Sequence, residues 1–434
     1  MNVDRRTFQK LLLGAVMAAG GCATSSPPQI AARRKIRELS VAVVGIGSRG
    51  ETVLREILRA GANVVALCDP DSSALRMGGD GVEVFRHTKP ALYRDWRIMF
   101  MREKNLDAVF VCTPDHLHFK IAAAAIEAGA SVCIEPPAVR TVDDWRRLVK
   151  AAARAGVSLT VGRGDADPDA LAFAENCLRG GVVGRPDRII AWTNQPLWPQ
   201  GICVPEGCDA LPRNLDWELW TGDAPMRPWR NGYYLHGAWR AWRDFGSGAW
   251  GAVAPHLLRT AFVALELGAP GTIETLRADR GADGAEKASY PASQSLRFSV
   301  ERGERSFGFG RRPTVEVIWH DGVGDASKAV AAPYGLKLPP LPAAGCLICG
   351  SAGTWLSAGP LADRHYFAVN GEATMADAES HPACSAFLPE KKTGRGRLVT
   401  QYKRFLEGIA AGEFSAGGKY DCLFNETIAK GIML

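Results

Sequence analysis

Leu39–Val44 (LSVAVV) begins the regular pattern of the chain: an almost unbroken apolar run rich in β-branched residues, as in a strand covered on both faces. Val53, Leu54, Ile57 and Leu58 follow at helical spacing, and Val64–Cys68 reads as a second buried strand. Val82–Phe85 reads as a short strand. Tyr93–Lys104 reads as a helix on the spacing of Trp96, Met99 and Phe100. Ala108–Cys112 (strand), Phe119–Ala128 (helix) and Ser131–Ile134 (strand) continue the alternation. Val142–Ala155, with Trp145, Leu148, Val149 and Ala152 on one side, predicts a helix, and Ser158–Val161 a closing strand. Strands alternating with helices at this spacing predict an α/β fold with a doubly wound parallel sheet. Such sheets bind ligands beyond the C-terminal ends of their strands.

The turn after the first strand is Gly45-Ile46-Gly47-Ser48-Arg49-Gly50. Gly45 permits the tight turn, Gly47 lets the backbone approach a pyrophosphate, and Gly50 lets helix and strand pack closely. Free N–H groups at the helix start would face the phosphates. Asp69 ends the second strand, where a carboxylate accepting from a ribose 2′-hydroxyl is expected. It would repel a 2′-phosphate, and Pro70-Asp71-Ser72-Ser73 carries no cation to reverse that, so NAD is favoured over NADP. The same rim should carry Thr113, Pro114, Asp115 and His118 after the fourth strand and Glu135 after the fifth.

Charge and composition narrow the classes. With 52 basic and 46 acidic residues among 434, the formal charge is +6, and no basic face suited to nucleic acid stands out. The 47% hydrophobic content is too high for a disordered chain, while no apolar run reaches the roughly 20 residues of a spanning helix. Residues 1–22 pair Arg5-Arg6 with Phe8, Lys10 and a short apolar run, which resembles a twin-arginine export signal. Ala19-Gly20-Gly21-Cys22 resembles a loose lipobox, so a lipid anchor at Cys22 and simple release into the periplasm both stay open, with 23–38 as linker. Cys203 and Cys208 share a Pro/Gly-rich loop and could pair in an oxidising compartment. Cys346 and Cys349 have CxxC spacing without a second pair, which predicts two faces of one strand and no metal.

Thr113-Pro114-Asp115-His116-Leu117-His118 followed by Glu135-Pro136-Pro137 resembles the Gfo/Idh/MocA oxidoreductases. Leu215–Gly222, Trp239-Arg240 and Asp244–Ala249 resemble the exported branch of that family, which includes NAD-dependent glycosidases. The resemblance spans roughly residues 39 to 430. It implies an NAD-binding domain over 39–162 and, over 163–434, an α/β domain with an open, largely antiparallel sheet through which a homo-oligomer could form. Arg188–Trp192, Ser295–Val300, Thr314–Trp319, Cys346–Cys349 and Thr354–Ser357 read as its strands, Gln401–Ile409 as a helix, and Ala332–Gly345 as a surface connection.

The resemblance also implies hydride transfer from a sugar or polyol, with a Lys, an Asp and a His moving the proton. Here the Lys position is Pro136, the Asp position is Ala252, a later Asp is Arg259, and only His256 remains. His256 could act alone or be a remnant; Asp165, Arg163, Asp244, His236 and Tyr233 are the other groups considered. Eight of the twelve tryptophans lie between Trp192 and Trp250, as a carbohydrate-stacking wall or as anchors of an irregular segment. Three readings follow: a sugar or polyol oxidoreductase, an NAD-dependent glycosidase that oxidises its substrate transiently, or a binding protein that has lost turnover.

Overall fold

The first apolar run forms β1 (Ser40–Val44), buried over its last four residues. After the glycine turn come α1 (Ser48–Arg59), β2 (Asn63–Cys68), α2 (Ser72–Arg86), β3 (Ala91–Tyr93) and α3 (Trp96–Arg102). β4 (Ala108–Val111), α4 (Asp115–Glu127), β5 (Ser131–Ile134), α5 (Val142–Ala155) and β6 (Leu159–Val161) complete the alternation. All six strands are parallel in the order β3-β2-β1-β4-β5-β6, the doubly wound arrangement. Helix ends follow local chemistry: Thr141 accepts from Asp144 N to open α5, and Gly156 closes it at φ +67°.

The computed structural model describes residues 34–164, 166–194, 198–303, 314–322, 342–372, 374–388 and 400–434. The expected export signal with Cys22, most of the linker, Asp165 and residues 332–341 of the expected connection lie outside them.

Val82–Phe85 is helical, contrary to the expected strand. Val82 is buried while Val84 and Phe85 are exposed, a helical rather than alternating pattern. Gly78 permits the packing: a Cβ there would stand 2.9 Å from Ile46 Cγ2 and 3.1 Å from Leu67 Cδ1. Tyr93, expected to start a helix, ends β3 instead, and Asp95 caps α3 by accepting from Arg97 N.

The second sheet has eight strands. They are β7 (Pro186–Thr193), β8 (Glu274–Asp279), β9 (Ser293–Glu301), β10 (Thr314–Asp321), β11 (Ala344–Gly350), β12 (Gly353–Ala358), β13 (Arg364–Val369) and β14 (Ala376–Asp377). Their order is β14-β13-β12-β11-β7-β10-β9-β8, antiparallel except for β7 beside β10. Cys346 and Cys349 fall in cores on the two faces of this sheet. Its helices are α6 (Pro168–Arg179), α7 (Trp217–Thr221), α8 (Gly248–Ala264), α9 (Gln401–Ala411) and α10 (Lys419–Ile432). The later part of the chain also returns to the first sheet: Tyr402, Phe405 and Leu406 of α9 share a core with Val41, Val43 and Phe110. Among the described residues no helix is long and apolar enough to cross a membrane.

Candidate active site

The glycine turn shows why each glycine is needed. Gly45 has φ +89°, and a Cβ there would lie 2.7 Å from Cys112 C and O. A Cβ on Gly50 would stand 1.8 Å from Gly45 O, so α1 can approach the turn only with glycine. Gly47 has nothing within 4 Å of its missing Cβ and opens onto a cavity of about 300 Å³. No side chain caps α1 there. Asp69 also lines the cavity; one oxygen accepts from Ile46 N at 2.6 Å, the other from Asp71 N at 2.8 Å. Burial pushes its carboxyl up to about 6 against those two donors, so it is mostly ionised at neutral pH.

At the other end Glu135, buried after β5, anchors a small network. Its Oε2 accepts from Arg49 Nε at 2.6 Å and its Oε1 from the Tyr402 hydroxyl at 2.7 Å, while Arg49 also donates to that hydroxyl. Burial, with the Glu135 charge beside it, holds the Tyr402 phenol well above its usual range, so it stays a donor. Gly162 allows this arrangement, since a Cβ there would lie 2.3 Å from Glu135 Oε1. His256, on α8, lines the same cavity; a Cβ on Gly164 would lie 3.0 Å from its Cε1. Burial lowers the His256 pKa below the usual imidazole value, with Glu135 opposing and Arg49 and Arg240 adding to the fall.

The rim residues between these ends are held by backbone. His118 faces Pro137 O and Thr113 O, both at 2.8 Å, and His116 faces Phe245 O and Thr221 O at 3.2 and 3.1 Å. Burial drives His116 down to about 4, so this imidazole is neutral and ties α4 to the later chain. Thr113, Pro114, Asp115 and His118 all reach the cavity, and the buried Thr113 hydroxyl finds no partner among the described residues.

The structure thus gathers Gly45, Gly47, Ser48, Arg49, Asp69, Thr113, Pro114, Asp115, His118, Glu135 and His256 around one space. Ile46 and Gly50 complete the turn from behind. Of the other groups considered that fall among the described residues, His236 alone lines this cavity, on a backbone at φ +53°. Arg163 faces Glu175, Asp244 pairs with Arg227, and Tyr233 packs beside Trp242. Arg259, at the later Asp position, pairs with Asp421. Cys203 and Cys208, which could pair by their spacing, are both free and exposed, Cys203 Sγ donating to Asp283 O and Cys208 Sγ to Asp209 O.

Most of the tryptophans anchor rather than line. Trp217 stacks on Trp220 at 4.7 Å between centroids, within a core that includes Trp229, Tyr234, Trp242 and Phe245. Trp220 and Trp239 reach the cavity, as does Arg240. This segment folds back on the first sheet, with Asn214 donating to Asp71 and Ser72 N donating to Asn214 O. Tyr402 behind Glu135 has no counterpart among the residues the sequence singled out. The one hint was a tyrosine hydroxyl on the buried side of the predicted helix at Gln401–Ile409.

Residues 39–163 match the model of an oxidoreductase family with an NAD-binding Rossmann fold, Gfo/Idh/MocA. The match takes in the glycine turn and the first sheet, under a third of the chain. A glycosyl hydrolase family 109 protein of Shewanella amazonensis is 29% identical over 253 residues, covering 54% of this chain and 51% of its own. D-apiose dehydrogenase of Paraburkholderia graminis is 36% identical over 126 residues, 29% of this chain and 32% of its own. The chain therefore spans about half, or less, of these curated relatives. An inositol dehydrogenase homolog from Azotobacter vinelandii, solved with NADH and myo-inositol, superposes with a TM-score of 0.57 at 18% identity. That match covers 91% of this chain and 93% of the other, and it speaks for the fold. In this segment Pro136 lines the cavity, at the position where the resemblance to the Gfo/Idh/MocA proteins implies a lysine.

Proposed function

We propose that the chain is an NAD-dependent oxidoreductase acting on a sugar or polyol, with His256 as the proton acceptor. The observation that carries this is the shared cavity, in which the dinucleotide turn, Asp69, Glu135 and His256 meet. The residues fit the cofactor: Gly47 leaves open space, α1 starts uncapped, and the Thr113 hydroxyl is buried without a partner among the described residues. Gly45–Gly50 would hold the pyrophosphate and Asp69 the adenosine ribose. When bound, NAD⁺ accepts a hydride from the hydroxyl-bearing carbon, which becomes a carbonyl. The hydroxyl proton passes to His256 Nδ1 or Nε2. Burial keeps that ring neutral and able to accept it. Glu135, fixed by Arg49 and Tyr402, limits how far that burial depresses the ring.

A second reading is favoured by the similarity to the Shewanella amazonensis protein: an NAD-dependent glycosidase in which oxidation is transient. Assaying sugars, polyols and chromogenic glycosides beside NADH formation separates the two. A dehydrogenase yields one NADH per product, a glycosidase releases aglycone with no net NADH, and neither signal would sink both. Export by the twin-arginine route, with or without lipid at Cys22, remains part of the proposal. It rests on Arg5-Arg6 and the residues before Cys22. Fractionation with and without a functional twin-arginine pathway tests it.

A further inference from the structure

Arg240 is a charged group of the cavity to which the proposed reaction gives no task. It sits on the 3-10 turn Ala238–Ala241, behind Gly237 at φ +92°. Its guanidinium lies 4.3 Å over the Trp239 ring and 5.8 Å from that of Trp198. Burial lowers its pKa, with the charges of Asp115 and Glu135 opposing. Yet among the described residues it forms no side-chain hydrogen bond and no ion pair, unlike the arginines around it. Arg49 holds Glu135, Arg140 donates to Asp244 O, Arg227 pairs with Asp244 and Arg243 donates to Glu286 O.

A desolvated guanidinium carries five donors and seeks an acceptor. The cavity's own carboxylates do not supply one. Both oxygens of Glu135 are already taken, by Arg49 and Tyr402. Asp115 is buried at the start of α4 and makes no ion pair with Arg240, though His118, Arg140 and Ser247 act on it as well. Nor does Arg240 belong to the adenosine end. Its charge bears on His256 and Asp115, whereas Asp69 is governed by its burial and by Ile46 and Asp71.

We propose that Arg240 anchors a carboxylate on the substrate, so that the substrate is a sugar acid of the uronate or aldonate type. The planar fork matches a carboxylate bidentately, and the indole of Trp239 holds it in place. A monoanion suits the site better than a phosphate ester. Asp115 and Glu135 line the same space and would repel a second negative charge. This inference rests on the oxidoreductase reading for turnover, but not for binding.

The test compares wild type, Arg240→Gln and Arg240→Lys with NAD⁺ and matched pairs: glucose against glucuronate, galactose against galacturonate, sorbitol against gluconate. Calorimetry of each compound with NAD⁺ present runs alongside. The expected result is a wild-type preference for the acids of about 10-fold or more in kcat/KM, carried by KM. In Arg240→Gln that preference falls by about 30-fold, and in Arg240→Lys by less, with NAD⁺ affinity unchanged. If the acids bind in an Arg240-dependent way but no NADH forms, the carboxylate anchor stands and the hydride-transfer reading fails. A preference for neutral compounds, acid preference unchanged in Arg240→Gln, weakened NAD⁺ binding in its place, or no binding of any acid overturns the anchor. Should Arg240→Gln not fold, the wild-type panel and Arg240→Lys decide on the same criteria.

Discussion

The two ends of one cavity are built by different means. At the dinucleotide end the determinants are backbone and sterics: a turn at φ +89°, a helix start without a side-chain cap, and a Gly50 that no larger residue can replace. At the opposite end they are side chains brought from far apart: Glu135 after β5, His256 on α8, Arg240 on a turn and Tyr402 on α9. The first end has every residue its pattern requires, whereas the second has Pro136 and Ala252 where a lysine and an aspartate would be expected. A site made of local backbone keeps its form or loses it whole. One assembled from separate elements can exchange its groups while the scaffold stays.

The largest expected effect lies at the side-chain end. His256→Ala should lower kcat by about 10²–10⁴-fold, as for a lost general base, with NAD⁺ affinity little changed. A wild-type rate in that variant would move proton transfer elsewhere. In the wild type the same group sets a pH limb. The reaction needs the neutral ring, which burial holds below the ordinary imidazole range, so kcat/KM should stay flat through neutrality and fall only below that range. A limb at or above it would show that another group controls the rate.

Next come the glycines, which separate sterics from binding. Gly50→Ala forces a Cβ to within 1.8 Å of Gly45 O and should cost about 1–3 kcal/mol in urea unfolding, along with NAD⁺ binding. Gly47→Ala meets no protein atom, so stability should hold within about 0.5 kcal/mol while calorimetry shows weaker NAD⁺ binding. Equal effects at the two positions would break the distinction. Smallest in its effect on the cofactor is Tyr402→Phe, which removes one hydrogen bond to the buried Glu135 and should cost about 1.5–3 kcal/mol of stability. It should leave NAD⁺ affinity within about twofold, since Tyr402 stands behind Glu135 and not on the cavity wall.

The same division explains what could be read from the chain. The parallel sheet was legible because five of its six strands announce themselves as short apolar runs between turns and helices, and Gly45–Asp69 did so completely, whereas β3 (Ala91–Tyr93) did not. Val82–Phe85 misled because so short an apolar run does not separate strand from helix; in the structure it continues a helix whose Gly78 packs closely on Ile46 and Leu67. His256 was legible through the resemblance alone. Arg240 and Tyr402 were not: Tyr402 matters through a hydrogen bond to Glu135, more than two hundred positions away, and Arg240 through the fold's placing it on the same cavity as Asp115 and Glu135. The tryptophans show the limit of composition: eight in one segment suggested a wall, yet most pack on one another and only Trp220 and Trp239 reach the space.

The account stands or falls on a dinucleotide over the Gly45–Gly50 turn. Total NAD, released by acid from the purified protein plus that taken up on titration, should reach one per folded chain and fall sharply in Gly47→Ala. Folded wild-type protein that neither carries nor takes up NAD would contradict it.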